Sequence, residues 1–597
     1  MLMIAPERWP WRASWAALLG IALLLKFLEQ PLYLFGTQFD DQLFVIMAHG
    51  FLSGDWSSSW ARTGITTLAK PVGYPLFLAG AHFLPWSPIF SVYLLYALAA
   101  TLIARSWRVL RNSRAEATVI LALLLFNPVL FGVQAQRIYR DVYIDALATM
   151  SIALAFAIVI ELRKMDGEQA GDTGAVAKHL QSGGILKISA LSLILGVTIG
   201  LGAITKPTWA WLIPAIAAPL AYPVLRSLRT SRRRAATVLW VVMGAVLIVV
   251  GTFGVIDVTK YMNKRTYGVS LVEDLSSGSL QQAWGQWARV EVGKPERWVP
   301  ITHGMRLAVY RISPSAAELK PFLESPTDSW KMTDCYSLVK ICNESGPWFE
   351  WDLQTAASAT GHVNSALEFQ QFFARIATDI SRACTAGTLR CSSSPVITTG
   401  LPPLNQIPIA ATAEQTATGL WGMMWTQQQI GPQSGPIPTR QQYALWTSVT
   451  PDIPSARTVA SGGGNRAIYP VLQAIGIIYR VFDLALLVSA CAGIVTWVLA
   501  RIRRKPRNGR ESQWSAIVTA SLFFLALLVG MGTLAVFNTS QYPGFILPGY
   551  WTDFSAIGQL FLALAAFASW PAVTTMSGTL TRKFRGNAKP RPLHARS

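Results

Sequence analysis

The stretch Phe39-Asp40-Asp41-Gln42 follows directly on the apolar segment Ser14–Phe35 and opens an amphipathic run, Leu43–Leu52. A largely apolar stretch of about 20 residues crosses a hydrocarbon core of roughly 30 Å. The two carboxylates therefore mark a membrane surface, and the question is what else the chain delivers to that surface. Ser14–Phe35 is too long for a cleavable leader, and no small-residue cleavage site follows it.

Outward from this point the same pattern recurs. With 52% hydrophobic and 14% charged residues in 597, the chain is too apolar for a soluble protein of its size. Spans are expected at Ser14–Phe35, Ile89–Trp107, Ala115–Val133, Val142–Leu162, Ile185–Thr205, Pro207–Leu225, Ala235–Ile256, Ala474–Leu499, Trp514–Val536 and Ile546–Trp570. The expected fold is an all-α polytopic membrane protein with about ten transmembrane helices. It divides into an N-terminal seven-span module (residues 1–256), a large external domain of mixed structure (257–470) and a three-span C-terminal region with a basic tail (471–597).

The net charge of +20 is placed in a way that excludes a nucleic-acid partner. Asp257–Tyr469 is almost charge-balanced, so the excess sits at span ends, at Arg8 and Arg12, Arg105 to Arg114, Arg226 to Arg234, Arg501 to Arg510 and Arg582 to Arg596. A cytoplasmic N-terminus and strict alternation put all of these clusters on the cytoplasmic side, as the positive-inside rule requires. This topology predicts a bacterial inner-membrane protein with both termini cytoplasmic and the large domain periplasmic. Cysteine usage agrees. Cys335, Cys342, Cys384 and Cys391 all fall in the exported segment and are disulfide candidates with three possible connectivities, while Cys491 lies within a span.

Three loops then share the external face. The first, Asp40 to Trp86, carries amphipathic runs at Leu43–Leu52 and Gly73–Leu84, with Trp56, Trp60 and Trp86 as interfacial anchors. The second is Gln134 to Asp141, with Asp145 one turn into the next span; the third is Thr205 to Trp209. Lys70, Arg137, Arg140 and Lys206 thus stand where basic residues are rare, and a phosphate at headgroup depth would compensate them through charge-assisted hydrogen bonds. A carboxylate beside them can act as general base toward a sugar acceptor. A hard divalent cation, Mg or Mn, would find oxygen ligands in Asp40, Asp41 or Asp141.

In their order these features resemble the GT-C superfamily of membrane glycosyltransferases, specifically polyprenyl-phosphate-sugar users related to protein mannosyltransferases and the aminoarabinose transferase of lipid A. The resemblance rests on Asp40-Asp41-Gln42, on His49 to Trp56, on Lys70-Pro71-Val72-Gly73-Tyr74-Pro75-Leu76, on Arg137, Arg140 and Asp141, and on Thr205-Lys206-Pro207-Thr208. It covers Ser14 to Ile256. An Arg-Tyr-Leu-Leu-Pro type motif of such enzymes is present only as Gln541 to Pro548, without its arginine. The resemblance implies a glycosyltransferase moving a sugar from a polyprenyl phosphate to a glycan, lipid or protein acceptor among membrane lipids. It implies catalytic Asp40, Asp41 and Asp141, with Lys70, Tyr74, Arg137, Arg140 and Lys206 binding substrate.

Plainer readings stand beside these. Asp40 and Asp41 suit the start of a helix, Lys70 can snorkel to the headgroups, and Arg137, Arg140 and Asp141 can form an interfacial ion-pair cluster. A transporter or flippase of a lipid-linked saccharide, or an accessory envelope protein, would use the same basic face without covalent chemistry. Asp145 is costly inside a span and is expected to serve the same pocket. Glu161 and Asp553 have no companion of the kind that Asp145 has in Asp141 one turn away, and the histidines show no ligand spacing.

Overall fold

The computed structural model describes residues 9–29, 31–33, 35, 40–56, 67–165, 183–230, 234–325, 331–332, 335, 340–341, 344, 346, 348–396, 401–424, 430, 437–450, 468–502, 510–540 and 552–568. Trp60, Cys342 and the motif Gln541–Pro548 lie outside them. Among the described residues the chain is helical, and extended structure is limited to isolated bridges. The helices used below are α1 (Trp9–Leu28), α2 (Asp40–Leu52), α3 (Gly73–Ala81), α4 (Pro88–Arg111), α5 (Arg114–Leu125), α6 (Arg140–Met165), α7 (Gly184–Ala203), α8 (Ile213–Thr230) and α9 (Arg234–Tyr267). After the large intervening segment come α10 (Ile468–Ile502), α11 (Arg510–Ser540) and α12 (Thr552–Ala568).

Seven described helices are long and apolar enough to cross a membrane: α4, α5 with the 3-10 turn that extends it to Phe131, α6, α7, α9, α10 and α11. The chain is a multi-pass helical membrane protein. Three of the ten expected spans are different in kind. The first is the 20-residue α1, which carries Arg12 and Lys26 and stops at Leu28, short of the expected Phe35. In place of the span expected at Pro207–Leu225, a 3-10 turn leads into α8, whose Pro214, Pro219 and Pro223 accompany an apolar helix only from Trp209 to Ala221. The last, α12, is a shorter apolar helix buried in the bundle.

Local sequence explains where the helices turn. Ser87 caps α4, accepting the Phe90 N–H at 3.1 Å with Pro88 in the first helical position, and Asn112 ends it in the left-handed conformation at φ 51°. Ser113 then caps α5 through the Glu116 N–H. Glycines set the closest helix contact. A Cβ on Gly196 of α7 would lie 2.3 Å from the Ile248 carbonyl of α9, and one on Gly251 of α9 would lie 2.8 Å from the Leu193 carbonyl of α7. Small residues let backbones approach in this way inside a bilayer, where hydrophobicity alone gives helices no reason to associate. The other face of α9 is a row of exposed Leu239, Val242, Val246, Val249, Val250 and Phe253, the surface expected against lipid.

The segment between α9 and α10 has a core of its own, in which Trp284, Trp287, Phe349, Phe369, Phe372 and Phe373 are fully buried. The mixed structure expected here is, among the described residues, helical. The helix Ala366–Thr385 puts a strongly apolar face into this core, and the Cys384–Cys391 disulfide closes the chain just beyond it, beside the bridge from Val290 to Cys391. Buried Arg306 is held by Glu324 at 2.8 Å and Glu344 at 2.9 Å. The segment is tied to the first loop of the bundle. Asp274 N–H donates to the Leu68 carbonyl at 2.7 Å, Tyr267 donates to the Trp56 carbonyl at 2.5 Å, and Trp56 Nε1 donates to Asn263 at 2.9 Å.

Candidate active site

Asp40 and Asp41 begin α2, where the helix dipole favours carboxylates. Their side chains point to different loops. Asp40 Oδ2 is 2.7 Å from Lys70 Nζ, and Asp41 meets Arg137 twice, with Oδ1 to Nε 3.2 Å and Oδ2 to Nη2 2.5 Å. Lys206 lies 2.7 Å from Asp141 and 2.7 Å from Asp553. The three loops that the sequence placed on one face thus close into one site at one end of the bundle. Asp553, which the sequence left without company, joins them.

The backbone fixes this convergence. Gly73 N–H donates to the Ile204 carbonyl at 2.8 Å, so the turn carrying Lys70 sits directly on the turn carrying Lys206. A Cβ at Gly73 would lie 2.2 Å from Thr205 Oγ1 and 2.8 Å from the Ile204 carbonyl oxygen, a fit open only to glycine. The second loop is held by the end of α1. Lys26 Nζ donates to the Leu130 carbonyl at 2.8 Å and to Glu29 at 2.5 Å, and Leu32 N–H donates to the Gln136 carbonyl at 2.7 Å. Arg137, the next residue, therefore leaves a rigid turn. Its guanidinium also donates to Gln134 at 2.8 Å and lies 4.7 Å from the Tyr139 ring centroid.

Beneath the ions is an aromatic floor. Tyr74 is 1% exposed, edge-to-face with Phe44 at 5.3 Å and near Tyr143 at 5.8 Å, and Phe77 stacks on Tyr143 at 4.5 Å. Burial, with the Asp41 charge nearby, holds the Tyr74 hydroxyl well above its ordinary pKa, so it remains a neutral phenol. Tyr74 is thus part of the floor that supports α2.

Burial pulls the charges of the site in different directions. At Asp40 desolvation raises the carboxyl, but Lys70, Arg140 and the Tyr139 hydroxyl outweigh it and hold the group below its usual value. At Asp41, which is completely buried, desolvation exceeds the lowering by Arg137, and the carboxyl is raised. Desolvation lowers Lys70 despite Asp40, whereas at Lys206 the two carboxylates overcome desolvation and raise it. Arg140 differs from the other three cations. Its guanidinium makes no hydrogen bond among the described residues, its Nε is buried and unpaired, and it lies 5.5 Å from the Phe44 ring centroid among the charges of Asp40, Asp141 and Glu273.

Two residues of the large segment complete the site, and neither was recognised in the sequence. Trp351 presents its ring face to Lys70 Nζ at 4.5 Å. Glu273 is 3% exposed, accepts the Ser276 N–H at 2.9 Å on Oε1, and lies within the fields of Arg140 and Lys70. Asp145 is directed elsewhere. It accepts from Ser555 Oγ at 2.8 Å and binds α12 to α6 rather than lining the ion cluster. Asp40, Asp41 and Asp141 each face a protein cation, and no group of three or more His, Cys, Asp or Glu side chains among the described residues is arranged to hold a metal. The donor set does not fit the divalent cation expected from the sequence.

No family model and no curated protein matches the chain. Among solved structures it is similar to the crystal structure of ArnT from Cupriavidus metallidurans bound to undecaprenyl phosphate, with 13% identity, 97% of this chain and 81% of that chain covered, and a TM-score of 0.29. The apo crystal structure of the same protein matches at 13% identity over 96% of this chain and 79% of that chain, with a TM-score of 0.30. The chemistry of the site is read from its own geometry.

Proposed function

We propose that this chain is a membrane glycosyltransferase of the GT-C type that transfers a sugar from a polyprenyl phosphate to an acceptor at the site end of the bundle. The observation that carries this reading is Arg140, whose guanidinium makes no hydrogen bond among the described residues and whose Nε is buried, beside four ion pairs assembled from separate parts of the chain. A guanidinium left without hydrogen bonds in a partly dry site is costly, and a phosphate oxygen satisfies it with charge-assisted bonds. Lys70 stands close enough to Asp40 to exchange that partner for the same phosphate.

The reaction follows from this arrangement. The acceptor hydroxyl or amine attacks the anomeric carbon, and the bond from that carbon to the phosphate oxygen breaks. The prenyl phosphate leaves with the bonding electrons. Arg140 and Lys70, already positioned, stabilise the charge that develops on it. The proton of the acceptor passes to a carboxylate of the site. The arginine-bearing turn between α4 and α5 lies at the other end of these helices, which under the positive-inside rule supports a periplasmic site end in a bacterial inner membrane.

The test is a deletion strain of the source organism in which surface and lipid-linked glycans are analysed, together with binding of undecaprenyl phosphate to the purified full chain. Loss of one sugar decoration, with the prenyl phosphate bound, is the expected result. Unchanged glycans, or an intact lipid-linked precursor trapped facing the cytoplasm, would replace this reading with no role in glycan assembly or with transport, respectively.

A further inference from the structure

The site holds more carboxylates than a proton acceptor requires, and their bonding separates them. Asp41 is sealed under α2 with both oxygens on Arg137. Asp141 shares Lys206 with Asp553. Asp40 Oδ2 receives both the Lys70 ammonium and the Tyr139 hydroxyl, the latter at 3.3 Å. A carboxylate bonded to a cation gives up that bond when it takes a proton, and this holds at Asp41 even though burial raises its carboxyl. Three of the four acidic positions on the bundle side are therefore better suited to orienting cations, and Asp553 is occupied with the same lysine.

Glu273 has the opposite character. Its Oε1 accepts the Ser276 N–H at 2.9 Å, and the Ser276 side chain also bonds the carboxylate. No lysine or arginine is in direct contact with it; Arg140 and Lys70 act on it only through space. Its neighbour Asp274 is anchored twice, through its N–H to the Leu68 carbonyl at 2.7 Å and through Oδ1, which accepts from Gln370 Nε2 at 2.6 Å. Leu68 is two residues from Lys70, so this anchor fixes Glu273 to the turn that carries the phosphate-binding lysine. Resting on the glycosyltransferase reading above, we infer that Glu273 is the general base: its carboxylate, bonded to no cation among the described residues, takes the proton of the acceptor as the acceptor oxygen or nitrogen bonds to the anomeric carbon and the prenyl phosphate departs with its electron pair.

The electrostatic environment suits that role. Burial raises the Glu273 carboxyl above the ordinary glutamate value, against the lowering by Ser276, Arg140 and Lys70. A base whose pKa lies nearer the working pH transfers protons more effectively than a strongly acidic one. The large segment then does more than cover the bundle. It supplies a reacting group, with Trp351 over Lys70 from the same segment.

The test compares Glu273→Gln and Glu273→Asp in the deletion strain and as purified full chains. Glu273→Gln keeps shape and loses the base. It is expected to bind undecaprenyl phosphate within about twofold of the wild type while restoring the missing decoration at a rate reduced about 100-fold or more. Glu273→Asp should recover part of the rate and displace the rising limb of its pH profile. Restoration by Glu273→Gln at the wild-type rate with an unchanged pH profile would overturn the inference and leave the transferase reading standing. Loss of undecaprenyl phosphate binding in Glu273→Gln would also overturn it, showing a structural role. If the wild type itself neither binds the lipid nor restores a decoration, the transferase reading fails first and this inference with it.

Discussion

Lys206 lies midway between Asp141 and Asp553, 2.7 Å from a carboxylate oxygen of each, and so joins the start of α6, 65 residues before it, to the start of α12, 347 residues after it. All three are nearly inaccessible to solvent. Removing the lysine leaves two carboxylates buried without their cation, a change that costs about 3–5 kcal/mol. Lys206→Met is expected to lower the melting temperature of the purified protein sharply, and adding Asp553→Asn should recover part of the loss. A stability unchanged by Lys206→Met would show that the ion pair does not bind α12 to the bundle.

Arg140→Gln should weaken binding of undecaprenyl phosphate with little effect on folding, because the guanidinium has no hydrogen bond among the described residues to lose. A charge-assisted hydrogen bond is worth about 1.5–3 kcal/mol, or roughly 10- to 100-fold in dissociation constant. Arg140→Lys should fall between, retaining charge without the planar fork. Arg137→Gln should behave differently, unfolding the site by stranding Asp41. Equal binding by wild type and Arg140→Gln would remove the anion role from this residue.

Gly73→Ala is expected to disable the site from a distance. The added methyl meets Thr205 Oγ1 and the Ile204 carbonyl, and separating the two turns draws Lys70 away from Lys206. Overpacking of this kind costs about 1–3 kcal/mol. Thr205→Ala in the same chain relieves the first clash and leaves the second, so lipid binding should recover only in part. Full activity in Gly73→Ala would mean that the two turns are free to slide.

Stability should depend on pH through Glu273. Its carboxyl is raised in the folded protein by burial, so the protonated form favours folding. That contribution is fully present below the ordinary glutamate pKa and is lost as pH rises through the raised value in the folded state. The melting temperature of the wild type should therefore fall across this window by a component that is absent in Glu273→Gln. Identical pH profiles for the two proteins would show that Glu273 does not titrate there.

The sequence was most legible where motif and membrane coincide. Asp40, Asp41, Lys70, Arg137, Arg140, Asp141 and Lys206 lie at span ends, and hydropathy with charge asymmetry is enough to put them on one face. Their pairing was not legible, since which arginine meets a carboxylate depends on turns fixed by Lys26 and Gly73. Asp553 had a readable signal, an acidic residue within an apolar run, which in a membrane requires a partner. Glu273 had none, being one acid in a nearly charge-balanced segment. After Cys391, where the sequence is rich in Pro, Thr, Gln, Ser and Gly, the segment still forms helices. Thr439 and Gln442 form a capping box that starts the helix Arg440–Thr447, a local signature outweighed by the surrounding Pro, Gln and Gly.

The anchoring of Lys206 also sets an order of biogenesis. As the chain is synthesised, the bundle-side cations are inserted first, Glu273 and Trp351 arrive with the large segment, and Asp553 follows them. Until then Lys206 has only half of its counter-charge and α6 lacks its contact with α12. The nascent protein therefore carries an incomplete centre until α12 is made, and the same residue that secures the fold completes the ion cluster. A chain stopped before α12 should be recognised as unfinished by the cell's membrane proteases rather than persist.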